Sequence, residues 1–426
     1  MISLVISAPV NTYSGYGARS RDVVKALIQT GKYDITLLSQ RWGNTRTGYL
    51  ADHNEDEILS LIVPKLEFKP DVWIQISVPN EFQAIGKYSI GITAGIETTL
   101  CDGSWLEGIN RMDLTLVSSE HAKNVFLGTK LDAFDERTKQ KIKEVKVEKP
   151  IEVLFEGIDL EKYLTVNKQS DLYTSISSIK ESFCFLSVGH WMQGDFGEDR
   201  KNIGYTIKTF LETYKNPAFK SKSTPALILK THQVGTSIMD RDKILDKIAA
   251  IRKTVNGTLP NIYLLHGEVT DEEMSDLYNH PKVMAYVSHT KGEGFGRPLL
   301  EFAATGKPVI ASGWSGQIDF LNREDSILLG GTLQKVHPTA VQKNMILSDA
   351  LWFRPNDSDV SKAYKQITKH YKKAQENAKR QARKIKLEWT FDKMVELLDS
   401  ILDKNLPEFP KEIKLTLPKL ELPKLK

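Results

Sequence analysis

Short runs rich in Val, Ile and Leu alternate with stretches of helical period along most of the chain. The runs at residues 2–8, 35–38, 72–76, 90–93, 114–117 and 151–154 read as strands. Between several of them, 19–29 and 122–127 place apolar side chains at helical spacing. A second series of strands follows at 183–188, 226–229, 262–265, 284–287 and 309–311. Strand–helix alternation of this kind predicts βαβ units and a parallel sheet. Between the two series, residues 156–180 are rich in Ser, Thr, Asp and Lys without apolar periodicity. The pattern therefore predicts an α/β protein of two doubly wound, Rossmann-like domains. These are residues 1–160 and 183–387, joined by a linker at 161–182, with a ligand cleft at the carboxyl ends of their strands.

Two segments stand apart. Residues 132–149 are strongly charged and read as a solvated helix or loop before the last strand of the first domain. The tail at 405–426 contains four prolines, which exclude a helix and predict an extended Pro/Lys/Leu segment.

A chain of 426 residues exceeds one comfortable core, in keeping with two domains. Its 40% hydrophobic and 26% charged content describes a globular protein, not a disordered or fibrous one. A net charge of +4 neither demands nor excludes a polyanionic partner. Only two cysteines occur, Cys101 and Cys184, at neither metal-ligand nor disulfide-scaffold spacing, which points to a reducing compartment. The first ten residues are apolar without a basic leader, and no segment offers eighteen uninterrupted apolar residues. A cytoplasmic protein without a transmembrane segment is expected.

The densest chemistry lies in Glu293-Gly294-Phe295-Gly296-Arg297-Pro298-Leu299-Leu300-Glu301, where two carboxylates eight residues apart flank a Gly-x-Gly turn. Glycines there permit positive φ and close backbone approach, and Pro298 suits the first turn of a helix. The outcome predicted is a helix N-terminus with free amides, a site for a diphosphate, with Glu293 at its mouth and Glu301 about two turns along. After the first strand, Gly15-Tyr16-Gly17 forms a second glycine turn into a helix. Ser20 stands where a dinucleotide fingerprint needs its third glycine, which argues against a nicotinamide or flavin enzyme.

This motif resembles the E-x7-E motif of the retaining GT-B glycosyltransferases of family four (glycosyl transferases group 1). Residues 306–312 (GKPVIAS) and 315–321 (SGQIDFL) are similar to that family as well. The resemblance implies the GT-B fold, with an acceptor-side first domain, a nucleotide-sugar-binding second domain, and a terminal helix at about 388–403 that packs back onto the first. It implies a catalytic Glu293 that orients the donor sugar and a Glu301 that grips the ribose. Gly294, Phe295 and Gly296 would line the donor, and Gly267 and Val269 would lie beside the base. Lys201 matches the family's lysine on the pyrophosphate. The family's arginine position holds His190 instead, in a longer loop, and Arg200 would substitute. Gly15, Tyr16 and Gly17 would face the phosphates and the acceptor. The donor implied is a nucleoside diphosphate sugar, UDP- or GDP-linked, with no separate cofactor.

The family's first-domain histidine has no counterpart, since none lies between His53 and His121. Glu97, in Gly95-Ile96-Glu97-Thr98-Thr99, is the candidate acceptor-side carboxylate or else a solvent-facing glutamate at a helix start. The lesser alternative for Arg200 and Lys201 is an exposed basic loop, and Asp271 reads equally as a helix N-cap. No His-x-His, His-x3-His or Asp-x-Asp pair appears at a loop, so no metal is expected. Between Lys365 and Lys386, nine Lys or Arg face one Glu, as a solvated helix face or a weak contact for a polyanion or membrane surface. Function so far reads as metal-independent sugar transfer to a hydroxyl of a glycan, lipid-linked, protein or DNA acceptor. A virus-type GT-B enzyme acting on DNA and a non-catalytic module that binds nucleotide sugar or polyanion are the alternatives.

Overall fold

The computed structural model describes residues 1–135, 137–217, 224–233 and 235–410, so the tail beyond 410 lies outside the described residues. In chain order the strands are β1 (Ile2–Ala8), β2 (Tyr33–Ser39), β3 (Val72–Ile76), β4 (Tyr88–Thr93), β5 (Leu114–Val117), β6 (Leu131–Phe134), β7 (Lys141–Val145), β8 (Ile151–Val153), β9 (Cys184–Val188), β10 (Ala226–Lys230), β11 (Ile262–Leu265), β12 (Val283–Ser288), β13 (Val309–Ser312), β14 (Ile327–Leu329), β15 (Gly331–Lys335) and β16 (Leu351–Pro355). Two six-stranded sheets result, in the orders β2-β1-β3-β4-β5-β8 and β11-β10-β9-β12-β13-β14. All pairs within them are parallel. Every residue of β3 and of β10 is buried, as strands sandwiched between helices require. Two doubly wound α/β domains are thus present, as the apolar pattern predicts.

Strand order locates the crevice. In the second sheet, β9 pairs β10 on one side and β12 on the other. The loops after β9 and β12 therefore leave in opposite directions, and a ligand crevice opens between them. In the first sheet the same split falls between β1 and β3.

Segment 132–149, expected as a solvated helix or loop, is instead a hairpin of β6 and β7. Leu131, Ala133 and Val145 pack on the Trp105–Phe126 cluster while their lysine and acidic neighbours stay exposed. That two-residue alternation is hidden in sequence by the charges. Half of the stretch 161–182 is helical, with helices at Leu160–Leu164 and Asp171–Ser177. Tyr163, Leu172 and Ile176 enter the core of the second sheet beside Leu277 and Tyr278.

The helix Phe391–Asn405 returns to the first domain. Its Met394, Leu398 and Leu402 are fully buried among Leu4, Ile6, Val23 and Leu27, and Leu406 and Phe409 rest on the same core. The basic run from Lys365 spans two helices, Asp357–Lys369 and Tyr371–Glu388. Ala378, Ala382 and Ile385 are buried beneath its exposed cations, of which Arg380 and Lys384 pair with Asp325. No helix among the described residues is long and apolar enough to cross a membrane.

Candidate active site

The loop after β12 runs from His289 to Gly296 and ends in the helix Arg297–Ala304. Gly296 caps that helix at φ 102°, where any side chain is strained, and Pro298 lies in its first turn. Gly294 has a different reason to be glycine. A Cβ there would lie 2.4 Å from the Ala94 carbonyl oxygen of the first domain. Close approach, not positive φ, fixes that position. The amides of Gly294, Phe295, Gly296 and Arg297 donate to no other group among the described residues. A buried helix N-terminus with unspent N–H groups is an anion cradle.

Glu293 sits at the mouth of this cradle, buried at 6% exposure. Its amide donates to Ser315 Oγ at 2.9 Å and its carbonyl accepts from Gly316 N at 3.0 Å, which fixes the backbone. Lys201 Nζ lies 2.7 Å from both carboxylate oxygens, and Arg200 Nη1 lies 3.2 Å from one of them. The loop after β9 delivers both cations, pinned by Lys291 N donating to Arg200 O at 2.7 Å and by Asn202 Nδ2 donating to His289 O at 3.0 Å. Asn202 itself takes a left-handed conformation, φ 57°, to start the next helix. The basic loop therefore faces inward.

Charge is concentrated here. Burial pushes the Glu293 carboxyl up, but Lys201 and Arg200 outweigh it and hold it below the usual carboxylate range. Burial opposes the Arg200 charge, and Glu97 and Glu293 together more than offset it. Burial lowers the Lys201 pKa, with Glu293 pulling the other way. Two carboxylates, two cations and free amides converge, and the unspent amides leave room for a ligand that brings negative charge of its own.

Glu97 lies in the irregular segment after β4, not at a helix start, and pairs with Arg200 at 3.5 Å. Tyr16 reaches the same segment: its hydroxyl is 2.9 Å from Thr93 Oγ1 and accepts from Ala94 N at 3.2 Å, while its ring stacks on Trp42 at 4.0 Å. Gly15 opens the helix Gly15–Thr30, and a Cβ on Gly17 would meet Thr12 O at 2.3 Å. Glu301 is buried, with Tyr278 Oη donating to one oxygen and Arg297 Nε to the other, both at 2.9 Å.

Other candidates sit differently. The Phe295 side chain turns into the second core against Phe320 and Trp389, so only its backbone faces the cradle. His190 is exposed, its ring 4.0 Å from His232, and it hydrogen-bonds neither glutamate. Gly267, at φ 117°, accepts from Lys230 Nζ, and Val269 rests on the second core. Between them, Glu268 pairs across the cleft with Arg46. Asp271 is not the N-cap; Thr270 is, in a capping box with Glu273, and Asp271 pairs with Lys162. Among the described residues, no three His, Cys, Asp or Glu gather as a metal centre. Sequence reasoning assigned no role to Ser315, Trp42, Tyr278, Arg297 or Asp22. Ser315 and Arg297 stand within the motif stretches, whereas the others carry no local mark.

Burial pushes the Glu301 carboxyl up to about 7, against Arg297. A carboxyl raised on folding stabilises the fold in acid. That contribution, about 3 kcal/mol, is lost as pH rises from its ordinary value of 4.5 through about 7. The melting-temperature advantage of wild type over Glu301→Gln is expected to shrink between pH 5 and pH 8. An advantage independent of pH would contradict this.

Residues 258–333 match the family described as glycosyl transferases group 1, a span that contains both glutamates. No curated protein sequence matches the chain. Solved structures resemble it along nearly their whole length at low identity. Sucrose-phosphate synthase from Thermosynechococcus elongatus is 11% identical with a TM-score of 0.60, over 95% of this chain and 99% of that one. Anabaena HepE, solved with UDP and glucose, is 11% identical with a TM-score of 0.55, over 95% and 100%. The trehalose-phosphate synthase of Burkholderia xenovorans, solved with glucose-6-phosphate, is 8% identical with a TM-score of 0.60, over 96% and 100%. The chain thus has the GT-B fold, and its residues 258–333, with the Glu293–Glu301 motif inside them, carry the group 1 glycosyltransferase match.

Proposed function

We propose that the protein is a retaining, metal-independent glycosyltransferase of family four, moving a sugar from a nucleoside diphosphate sugar to a hydroxyl. The observation that carries this reading is the meeting of Glu293, Lys201 and Arg200 with four free amides between β9 and β12. A diphosphate seated on those amides draws Lys201 and Arg200 from Glu293 to its own oxygens. Preorganised positive charge on the departing diphosphate is then the main rate contribution, worth several kcal/mol by oxyanion-type precedent. Glu293, released, accepts from hydroxyls of the donor sugar and orients the anomeric carbon. Glu301 takes the ribose hydroxyls. Glu97 and Tyr16, brought beside Arg200 and the Ala94 loop, define the acceptor side. Retention without a protein nucleophile implies attack on the face the diphosphate leaves, with a leaving-group oxygen taking the acceptor proton.

The relatives solved with UDP, glucose and glucose-6-phosphate extend this reading to a UDP-sugar donor and a sugar-like acceptor. A cytoplasmic setting belongs to the same reading and agrees with Cys101 and Cys184 as free buried thiols. The exposed cations between Lys365 and Lys386 would attract a polyanion or membrane surface only weakly at physiological salt.

A thermal-shift and donor-hydrolysis screen across UDP-, GDP-, ADP- and CMP-sugars, without added metal, tests the proposal. One donor is expected to raise the melting temperature and to hydrolyse slowly. No shift with any of the four would overturn it.

A further inference from the structure

Arg297 stands between the two glutamates in sequence and between the two domains in space. Its Nε donates to Glu301 Oε1 at 2.9 Å, and its Nη1 meets the carboxylate of Asp22 on the first-domain helix Gly15–Thr30. The first turn of that helix is the Gly15–Gly17 loop at the cleft. Side-chain exposure is 22% for Arg297, 18% for Asp22 and 7% for Glu301, so solvent screens these contacts little. Other bonds also join the domains: Thr99 N donates to Leu351 O at 3.0 Å, Leu351 N to Thr99 Oγ1 at 2.8 Å, and Glu120 N to Asp319 Oδ2 at 2.8 Å, but none of these reaches Glu301. Arg46 and Glu268 are 56% and 39% exposed, which places them among surface pairs of small worth. Arg200 and Glu97 stand 3.5 Å apart.

We propose that Asp22, Arg297 and Glu301 form a positioning relay that sets the first-domain glycine loop against the nucleotide half of the site. The relay's position at the ribose rests on the transferase reading; the relay itself rests on geometry alone. A planar guanidinium donates in two fixed directions, so holding Glu301 aims Arg297 at Asp22 and holding Asp22 aims it at Glu301. A ribose that engages Glu301 thereby meets a carboxylate already oriented by the other domain. Closure of the cleft and filling of the ribose position become one event. Arg297 and Asp22 touch no reacting atom in this scheme.

The test uses the full chain and compares wild type, Asp22→Asn and Asp22→Glu by small-angle X-ray scattering, by UDP and GDP titration, and by steady-state transfer. Asp22→Asn is expected to enlarge the radius of gyration. It should lower kcat by about tenfold to a hundredfold, as misplacement of groups around a reacting centre does. Nucleoside diphosphate affinity should fall as well, since closure of the cleft and filling of the ribose position are coupled and the coupling is reciprocal. Asp22→Glu should recover both compactness and kcat, which loss of fold would not allow. Arg297→Lys, which keeps the charge and loses the fork, should open the cleft as Asp22→Asn does. Scattering curves of both variants superimposable on wild type would overturn the relay. Scattering needs no ligand, so a wild type that binds neither UDP nor GDP would count against the transferase reading while the relay stands or falls on the scattering alone.

Discussion

Replacing Glu293 by glutamine is expected to lower sugar transfer by about 10²–10³ while nucleoside diphosphate still binds, the scale on which single preorganised polar groups act in transition states. The expectation follows from what the carboxylate touches. Lys201 and Arg200 are its partners before a donor arrives, and both remain when its charge is removed. Glutamine leaves those cations with less negative charge nearby, so the diphosphate loses nothing and can gain. The donor sugar, by contrast, loses the anion that accepts from its hydroxyls and sets its anomeric carbon. Transfer rate and nucleotide affinity should therefore separate, and parallel kcat and titration measurements on the variant check this. Wild-type turnover in Glu293→Gln would remove the basis of the assignment.

The second large effect is expected at Gly292. A Cβ there would sit 1.9 Å from the carbonyl oxygen of Glu97, with Trp314 Cζ3 at 3.1 Å on another side. Backbone cannot yield as a flexible side-chain tip does, so Gly292→Ala must push the loop after β12 away from the segment after β4. The overlap falls between domains, outside either core. Each domain should stay folded, at a cost of about 1–3 kcal/mol for the overpacking, while Arg200 parts from Glu97. Transfer is expected to fall by about a hundredfold, the size associated with ångström-scale misplacement. Gly128→Ala, where nothing lies within 4 Å of the added methyl, is the control and should behave as wild type. Circular dichroism and transfer assays on the two variants make the comparison. Full activity in Gly292→Ala would show that this interdomain contact is not the working one.

The strands that build both sheets were legible because each is a short apolar run of its own, from β1 to β13. Those that escaped are β14, the hairpin β6–β7 and the separate pair β15–β16, whose Leu-Trp-Phe-Arg-Pro strand is apolar but belongs to neither large sheet. β14 is three residues long, and β7 reads Lys-Ile-Lys-Glu-Val, with only Val145 buried. Glu293 and Glu301 were visible through the glycines and proline around them. Their surroundings were not. That Lys201 would lie against Glu293 depends on β9 pairing β12, and strand order is written in no local pattern. Asp22 shows the limit most plainly. In sequence it is one acid in the middle of an amphipathic helix, and its partner stands on another domain, far along the chain. Phe295 taught the converse, since a residue inside the motif serves the core with its ring.

The helix Phe391–Asn405 has a consequence for how the polypeptide is made. Leu4, Ile6, Val23 and Leu27 are covered by Met394, Leu398 and Leu402, which leave the ribosome long after β8 has done so. At about 5–20 residues per second the interval is on the order of 10–50 s. Through that time the first sheet carries an open apolar seam, while most of the chain that surrounds the second sheet is being added. The half synthesised first is therefore the half completed last, and chaperone dependence during translation should centre on that waiting seam.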